Sequence, residues 1–166
     1  MKTIFSAVCI ALCICQSVSA QNEVLRQINS LRGITSFGIS INVEHPSSLN
    51  DFDFDLSGIR KEIQDKLEAA SVSVIGDDEL RSSDQYPLLS LHINVLRAGN
   101  GTYPYSVELA FYQPVKLTLN RDVGTVAATW QTSFVAIVSH DLLEHITPSA
   151  INLVDSFVND FASVNL

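Results

Sequence analysis

Four acidic residues have the spacing of a calcium-binding loop. Asp51, Asp53 and Asp55 alternate with aromatic residues, and Glu62 stands where the last ligand of a twelve-residue calcium loop would be. Such a loop needs glycine at its sixth position, where this chain has Leu56. Alternatively, the acids lie at the start of a helix, where the helix dipole favours negative charge and a side chain can cap the first turn. A calcium-stabilised exported domain is therefore one alternative.

A second group resembles a zinc helix. His140, Glu144 and His145 lie close together in the sequence, but zinc-binding histidines on one helix face are four residues apart. Histidines five apart are separated by about 140° around an α-helix. His140 and Glu144 would share a face, yet no third ligand accompanies them. We expect a solvated helix start here, and no cofactor.

Nucleophilic catalysis has no recognisable residues in this sequence. All three cysteines lie within residues 1–20, and no serine occupies a Gly-x-Ser-x-Gly turn. A phosphate-binding glycine loop is also absent from the sequence. We expect a protein that is not an enzyme. The alternative is a small metal-dependent or hydrolytic enzyme whose site forms only on folding.

Residues 1–20 have the features of a cleaved secretory signal. Lys2 precedes an apolar run from Ile4 to Cys15, which is shorter than the roughly 20 residues that span a bilayer. Small residues precede an expected cleavage site after Ala20. Residues 21–166 would then form a single exported domain without cysteine, periplasmic or secreted, with no transmembrane span.

The charge of the chain limits its partners. The formal net charge is −8, and the leader contains a lysine but no acidic residue, so its removal makes the protein more acidic. Nucleic acid is a poor partner for such a surface. We therefore expect a protein or another envelope component as the partner.

Hydrophobic periodicity predicts the elements that position these residues. Apolar residues alternate with polar ones through residues 34–44, 89–95, 103–119 and 126–138, which is typical of half-buried strands. Residues 72–75 predict a further, short strand. Spacings of three and four predict helices over residues 56–70 and 142–164, with Thr147-Pro148 either kinking or restarting the second helix. The predicted fold is an α+β two-layer sandwich. It has a mainly antiparallel sheet of about five strands and two helices on one face, in the order strand-helix-strand-strand-strand-strand-helix.

Asn100-Gly101 lies between two of the alternating segments. The pair favours the positive φ values of a tight hairpin turn, so the flanking strands should be antiparallel neighbours. Asn100 also begins a glycosylation sequon, which is relevant only in a eukaryotic source.

The side of the sheet that faces away from the helices is the candidate binding surface. Lysine and arginine are missing from it, although charged residues usually dominate solvent-exposed surface. An ordinary solvated sheet face is the alternative. The residues expected at its centre are His92, Asn94, Glu108, Tyr112 and Gln131.

Four segments carry a resemblance to known proteins. They are 89–95 (LSLHINV), 103–109 (YPYSVEL), 128–132 (ATWQT) and 153–161 (LVDSFVNDF). The chain resembles a family of small exported bacterial proteins of unassigned function, which implies no catalytic or ligand residues. Its element order is more loosely similar to small α+β domains of bacterial envelope assembly factors, including the amino-terminal domain of the Tol-system propeller protein. From the leader, the polar sheet face and the lack of a recognisable catalytic set, we expect an exported binding or envelope-assembly module that uses this face or an exposed strand edge.

Overall fold

The computed structural model describes residues 21–82 and 85–165, so the predicted signal in residues 1–20 lies outside the described residues. The strands are β1 (Ser36–Glu44), β2 (Ser73–Val74), β3 (Leu88–Val95), β4 (Thr102–Lys116) and β5 (Gly124–Ser139). The helices are α1 (residues 21–30), α2 (Leu56–Ala69), α3 (Asp77–Ser82) and α4 (Ile146–Asn165). Two short 3-10 helices are Ser47–Leu49 and His140–His145.

The five strands form one mixed sheet in the order β2-β1-β3-β4-β5. β1 pairs in parallel with β2 and with β3, whereas β3, β4 and β5 are antiparallel neighbours. The prediction of a mainly antiparallel sheet was therefore wrong. The connection from β1 to β3 contains α2, and a crossover of that length allows two strands to run in the same direction.

The prediction of two helices was also wrong, because the described residues form four α-helices. α2 and α4 pack on one face of the sheet, as expected, and Lys66 Nζ lies 2.6 Å from Asp155 Oδ1 between them. α3 lies on the opposite face, and α1 lies beside the edge of β5. The sequence pattern does not predict α3, since six residues are too few to show helical periodicity.

Aromatic side chains fill the layer between the sheet and the two packed helices. The rings of Phe37 and Phe111 meet edge to face at 4.9 Å, and Phe157 of α4 packs against both. Trp130 contacts Phe157 from β5 with ring centroids 5.1 Å apart. These rings join the buried aliphatic side chains in one contiguous core, which fixes the sheet's other face as its open side.

The β3–β4 hairpin confirms that the strands flanking Asn100-Gly101 are antiparallel neighbours. The Gly101 N–H group donates to Ala98 O, and only Gly101 of this pair has a positive φ, of 76°. The Ala98 N–H group donates to Thr102 O and closes a loop of three residues. Three-residue hairpin loops commonly place glycine at this left-handed position.

α4 begins as a restarted helix after the 3-10 helix. Pro148 lies in its first turn, where a missing N–H group removes no intrahelical hydrogen bond. At its other end, the Asn165 side chain donates to Leu31 O at 2.9 Å and accepts from the Gly33 N–H group at 2.7 Å. Gly33 has a φ of 78°, so this contact holds the turn after α1 against the end of α4.

Candidate functional site

The open face is the side of the sheet that faces away from α2 and α4. Its central row crosses four strands, and the register aligns Asn42, His92, Glu108 and Ser133. The Asn42 side-chain amide donates to His92 Nδ1 at 3.1 Å and lies 3.3 Å from Glu44 Oε1. The row is therefore a line of hydrogen-bonding side chains, and Glu44 lies beside Asn42 at one end of it.

Helix α3 covers one end of the open face. A Cβ atom added to Gly38 would overlap the side chain of Leu80, so this leucine lies directly on the strand backbone. The register places Gly38 in one row with Leu88, Tyr112 and Ala128. Tyr112 is half-buried in that row, whereas Glu108, four residues earlier in β4, is exposed. Of these two expected binding residues, Glu108 is thus the more accessible.

A bulge in β5 reverses the expected alternation. Phe111 lies opposite Trp130 but Tyr112 lies opposite Ala128, so Thr129 is the extra residue. Unbroken alternation over residues 126–138 predicts Val126 and Ala128 on the core side and Thr129 on the open face, and the bulge makes both predictions wrong. Before the bulge, Val126 faces the open side with 55% of its surface exposed. The Thr129 hydroxyl instead accepts from the Gln113 side-chain amide.

An exposed apolar row lies at the other end of the open face, and the sequence interpretation missed it. The Leu96 N–H group donates to Pro104 O, and Pro104 lies opposite Ile137. Val135 lies one row away, opposite Ser106. Leu96 is 58% exposed, Ile137 66% and Val135 78%. The alternation that was used for the polar residues could have found this row if it had been continued by four positions from His92, Glu108 and Ser133 along their strands.

The outer edge of β5 is covered only in part. The Gln131 N–H group donates to Gln27 Oε1 of α1 at 3.2 Å, and the Ser30 hydroxyl donates to Thr129 O at 3.2 Å. Gln131 is exposed and lines a small pocket of about 180 Å³ together with Gln27 and Trp130. Gln131 therefore lies where α1 meets the sheet, away from the centre of the open face.

The same edge is free farther along β5. Because backbone direction alternates along a strand, the N–H and C=O groups of Ser133, Val135 and Ile137 point outward like the Gln131 N–H group. Within residues 21–82 and 85–165, no backbone or side-chain group bonds to them from outside the β4 ladder. We name the segment Thr132–Val138 the free edge.

The acidic segment has a structural role at the start of α2. The Asp55 carboxylate accepts from the Gly58 N–H group and from the Ser57 hydroxyl, both at 3.0 Å, and it is the N-cap of the helix. Asp53 in turn accepts from the Asp55 N–H group at 2.8 Å. Across the described ranges, the structure gathers no group of three or more ligand side chains that could hold a metal ion. It does not bring Asp51, Asp53, Asp55 and Glu62 together.

His140, Glu144 and His145 lie in a 3-10 helix, where the α-helical geometry used for the sequence does not apply. At about three residues per turn, positions four apart are separated by about 120°. His140 and Glu144 therefore do not share a helix face, contrary to the prediction. The His140 ring lies 5.8 Å from that of Tyr103. At the start of this turn, the Ser139 hydroxyl donates to the Asp141 carboxylate and lowers the pKa of Asp141.

A larger pocket, of about 510 Å³, lies where β4 ends and β5 begins. It is lined by Gln85, Pro114, Val115, Lys116, Gly124, Thr125 and Val126. Lys116 is the single ionisable side chain in this lining.

Comparisons with known proteins assign no family. No protein-family model matches the chain, and no curated protein matches it. One solved structure that it resembles is a PelC variant dodecamer from Paraburkholderia phytofirmans, with 16% identity and a TM-score of 0.40, covering 76% of this chain and 90% of that one. Another is a minor lipoprotein from Acinetobacter baumannii, with 9% identity and a TM-score of 0.30, covering 76% and 92% respectively. Likenesses this low assign neither a fold nor a function.

Within the described residues, no helix is long and apolar enough to cross a bilayer.

Proposed function

We propose that this protein is a non-enzymatic exported binding module, of the kind used in envelope assembly, and that it binds a protein partner through its open face. The observation that carries the proposal is the apolar row of Leu96, Pro104 and Ile137, in which Leu96 and Ile137 are exposed. It lies two rows from the polar row of His92 and Glu108. Exposed apolar patches bordered by polar groups are typical of protein interaction sites.

The two rows have complementary roles in binding. The apolar row supplies surface whose removal from water drives association, and the polar row supplies directional contacts that fix the partner's orientation. Glu44 and Glu108 are exposed acidic residues on this face. A suitable partner therefore presents apolar side chains flanked by lysine or arginine. Export of the protein remains part of the proposal, supported by the signal-like residues 1–20.

Photocrosslinking in the native envelope fraction tests the proposal. A photoreactive amino acid at Leu96 should give a discrete protein adduct, because Leu96 lies in the apolar row. The matched control is Leu56, an exposed leucine on α2, at 48% exposure. We expect no adduct from the Leu56 position. A Leu96 variant that is folded and gives no adduct would contradict the proposal.

The polar row has its own test. Glu108→Gln keeps the size of the side chain but removes its charge, so we expect the Leu96 adduct to weaken and to depend less on salt concentration. Glu62→Gln, on α2, is the matched control for charge. An equal loss from both variants would indicate a general charge effect and count against the open face as the binding site.

A further inference from the structure

We propose that two copies of this chain pair through the free edges of their β5 strands, antiparallel and around a two-fold axis at Val135, to form one continuous ten-stranded sheet. This inference goes beyond the open-face proposal and does not depend on it, because it concerns the edge of the sheet. It commits to a second copy of this chain as the partner.

The limits of the free edge define its centre. On one side it ends where α1 bonds to Gln131, and on the other where Ser139 leads into the 3-10 helix. The stretch between these limits, Thr132–Val138, has Val135 at its midpoint. An antiparallel pair of identical strands is symmetric about its centre, so this stretch can be used completely by a second copy of itself.

The outward groups have the correct alternation for this register. Pairing around Val135 places Val135 opposite its counterpart and Ser133 opposite Ile137. All three residues direct both N–H and C=O outward, so each pair can exchange two hydrogen bonds. The register also places the two Val135 side chains next to each other on the open face, where each is otherwise 78% exposed. Pairing therefore satisfies backbone groups and buries apolar surface at once.

The free edge lacks the features that keep edge strands apart. Proteins usually protect an edge with charged residues, proline, a bulge or a covering element. β5 contains no charged residue and no proline from Gly124 to Ser139. The bulge at Thr129 and the cover from α1 protect only the region before the free edge.

Charge explains why two copies would meet here. The chain has a net charge of −8, so two copies repel each other over most of their surface. The free edge is uncharged, and contact along it brings few acidic groups together. The pairing is short, and stable interfaces usually bury about 1,200–2,000 Å². We therefore expect a reversible dimer that depends on protein concentration.

Complementary charges at position 135 test the register. We expect sedimentation equilibrium of the exported protein to show a concentration-dependent dimer. Val135→Lys and Val135→Glu should each weaken dimerisation by at least about tenfold, because like charges would meet at the axis. An equimolar mixture of the two variants should restore the dimer. Val126→Lys is the matched control, since Val126 is also an exposed valine of β5 on the open face, at 55% exposure, but lies outside the free edge.

A second variant tests the backbone hydrogen bonds of the free edge directly. Ser133→Pro removes an outward N–H group without removing a donor from the β4 ladder, and proline is tolerated at such edge positions. We expect a folded monomer, with folding checked by circular dichroism.

A wild-type chain that is monomeric at all concentrations would overturn the proposal, as would a Val135→Lys variant that dimerises like wild type. A monomer that still gives the Leu96 adduct would overturn the edge pairing alone, whereas a dimer without that adduct would overturn the open-face proposal alone.

Discussion

Leu80 lies directly on Gly38, on the face of the sheet opposite the core. This contact attaches α3 to the open face and covers the end of the face nearest Tyr112. It leaves the apolar row around Leu96 uncovered at the other end. The accessible part of the open face is therefore set by one small residue in β1 and one apolar residue in a six-residue helix.

The Leu80–Gly38 contact leads to a specific prediction about α3. In Gly38→Ala the new Cβ collides with the tip of the Leu80 side chain, which is flexible, so the collision should displace α3 rather than unfold the sheet. We expect faster hydrogen exchange in residues 77–82 and a nearly unchanged melting temperature. In a Leu80→Ala background the same substitution should have no further effect on exchange. Equal exchange in wild type and Gly38→Ala would contradict this role of Leu80.

The sequence predicted the parts of the fold that depend on local patterning. The spacing of Ile59, Ile63 and Leu67 predicted α2, and the structure confirms that all three are buried. Alternation predicted β3, whose residues are buried at every second position. These patterns are sufficient because each element buries one face, and the period of the apolar residues identifies that face.

The remaining features depend on contacts that local patterns do not record. Alternation is the same in a parallel and an antiparallel strand, so it could not show that β1 runs parallel to β3. The bulge at Thr129 moves Val126 to the open face without any glycine or proline in the sequence to mark it. Of the residues expected at the centre of the face, His92 and Glu108 are cross-strand neighbours, whereas the Gln131 backbone bonds to α1 and Tyr112 is half-buried. Strand order and the position of α1 decide these differences, and neither can be read from alternation.

Two variants of Asp55 distinguish its role as the N-cap of α2 from a role as a calcium ligand. Asp55→Ala removes the acceptor for the Gly58 N–H group, and we expect a loss of about 1 kcal/mol in the free energy of unfolding, as is usual for such caps. Asp55→Asn retains an acceptor oxygen and should lose much less. If calcium stabilised this segment, both variants would be destabilised and a chelator would lower the melting temperature of wild type. We expect the chelator to have no effect.

Asp141 should contribute to stability in a pH-dependent way. The hydrogen bond from the Ser139 hydroxyl lowers the pKa of Asp141 most, and a hydrogen bond from the Asp141 backbone lowers it further. The folded state therefore favours the charged form of this carboxyl group. This contribution is present above the unfolded-state pKa of about 3.9 and is lost as the pH falls through the lowered folded-state pKa. Asp141→Asn should thus melt below wild type at pH 7, with a difference that shrinks in acid. Ser139→Ala should show the same trend, and a constant difference would contradict it.

The hydrogen bond between Trp130 and Asp160 ties α4 to β5. The Trp130 Nε1–H group donates to Asp160 Oδ2 at 2.9 Å, and Trp130 is almost completely buried. Asp160→Ala leaves this donor without its partner, which typically costs about 1–3 kcal/mol in the free energy of unfolding. Asp160→Asn keeps an acceptor and should retain most of the stability.

Because Trp130 is the single tryptophan of the chain, its fluorescence reports the change directly. We expect an altered emission maximum in Asp160→Ala and a near-native one in Asp160→Asn. Equal denaturation midpoints for wild type and Asp160→Ala would show that water replaces the carboxylate without loss, and that packing against Phe157 alone holds the indole.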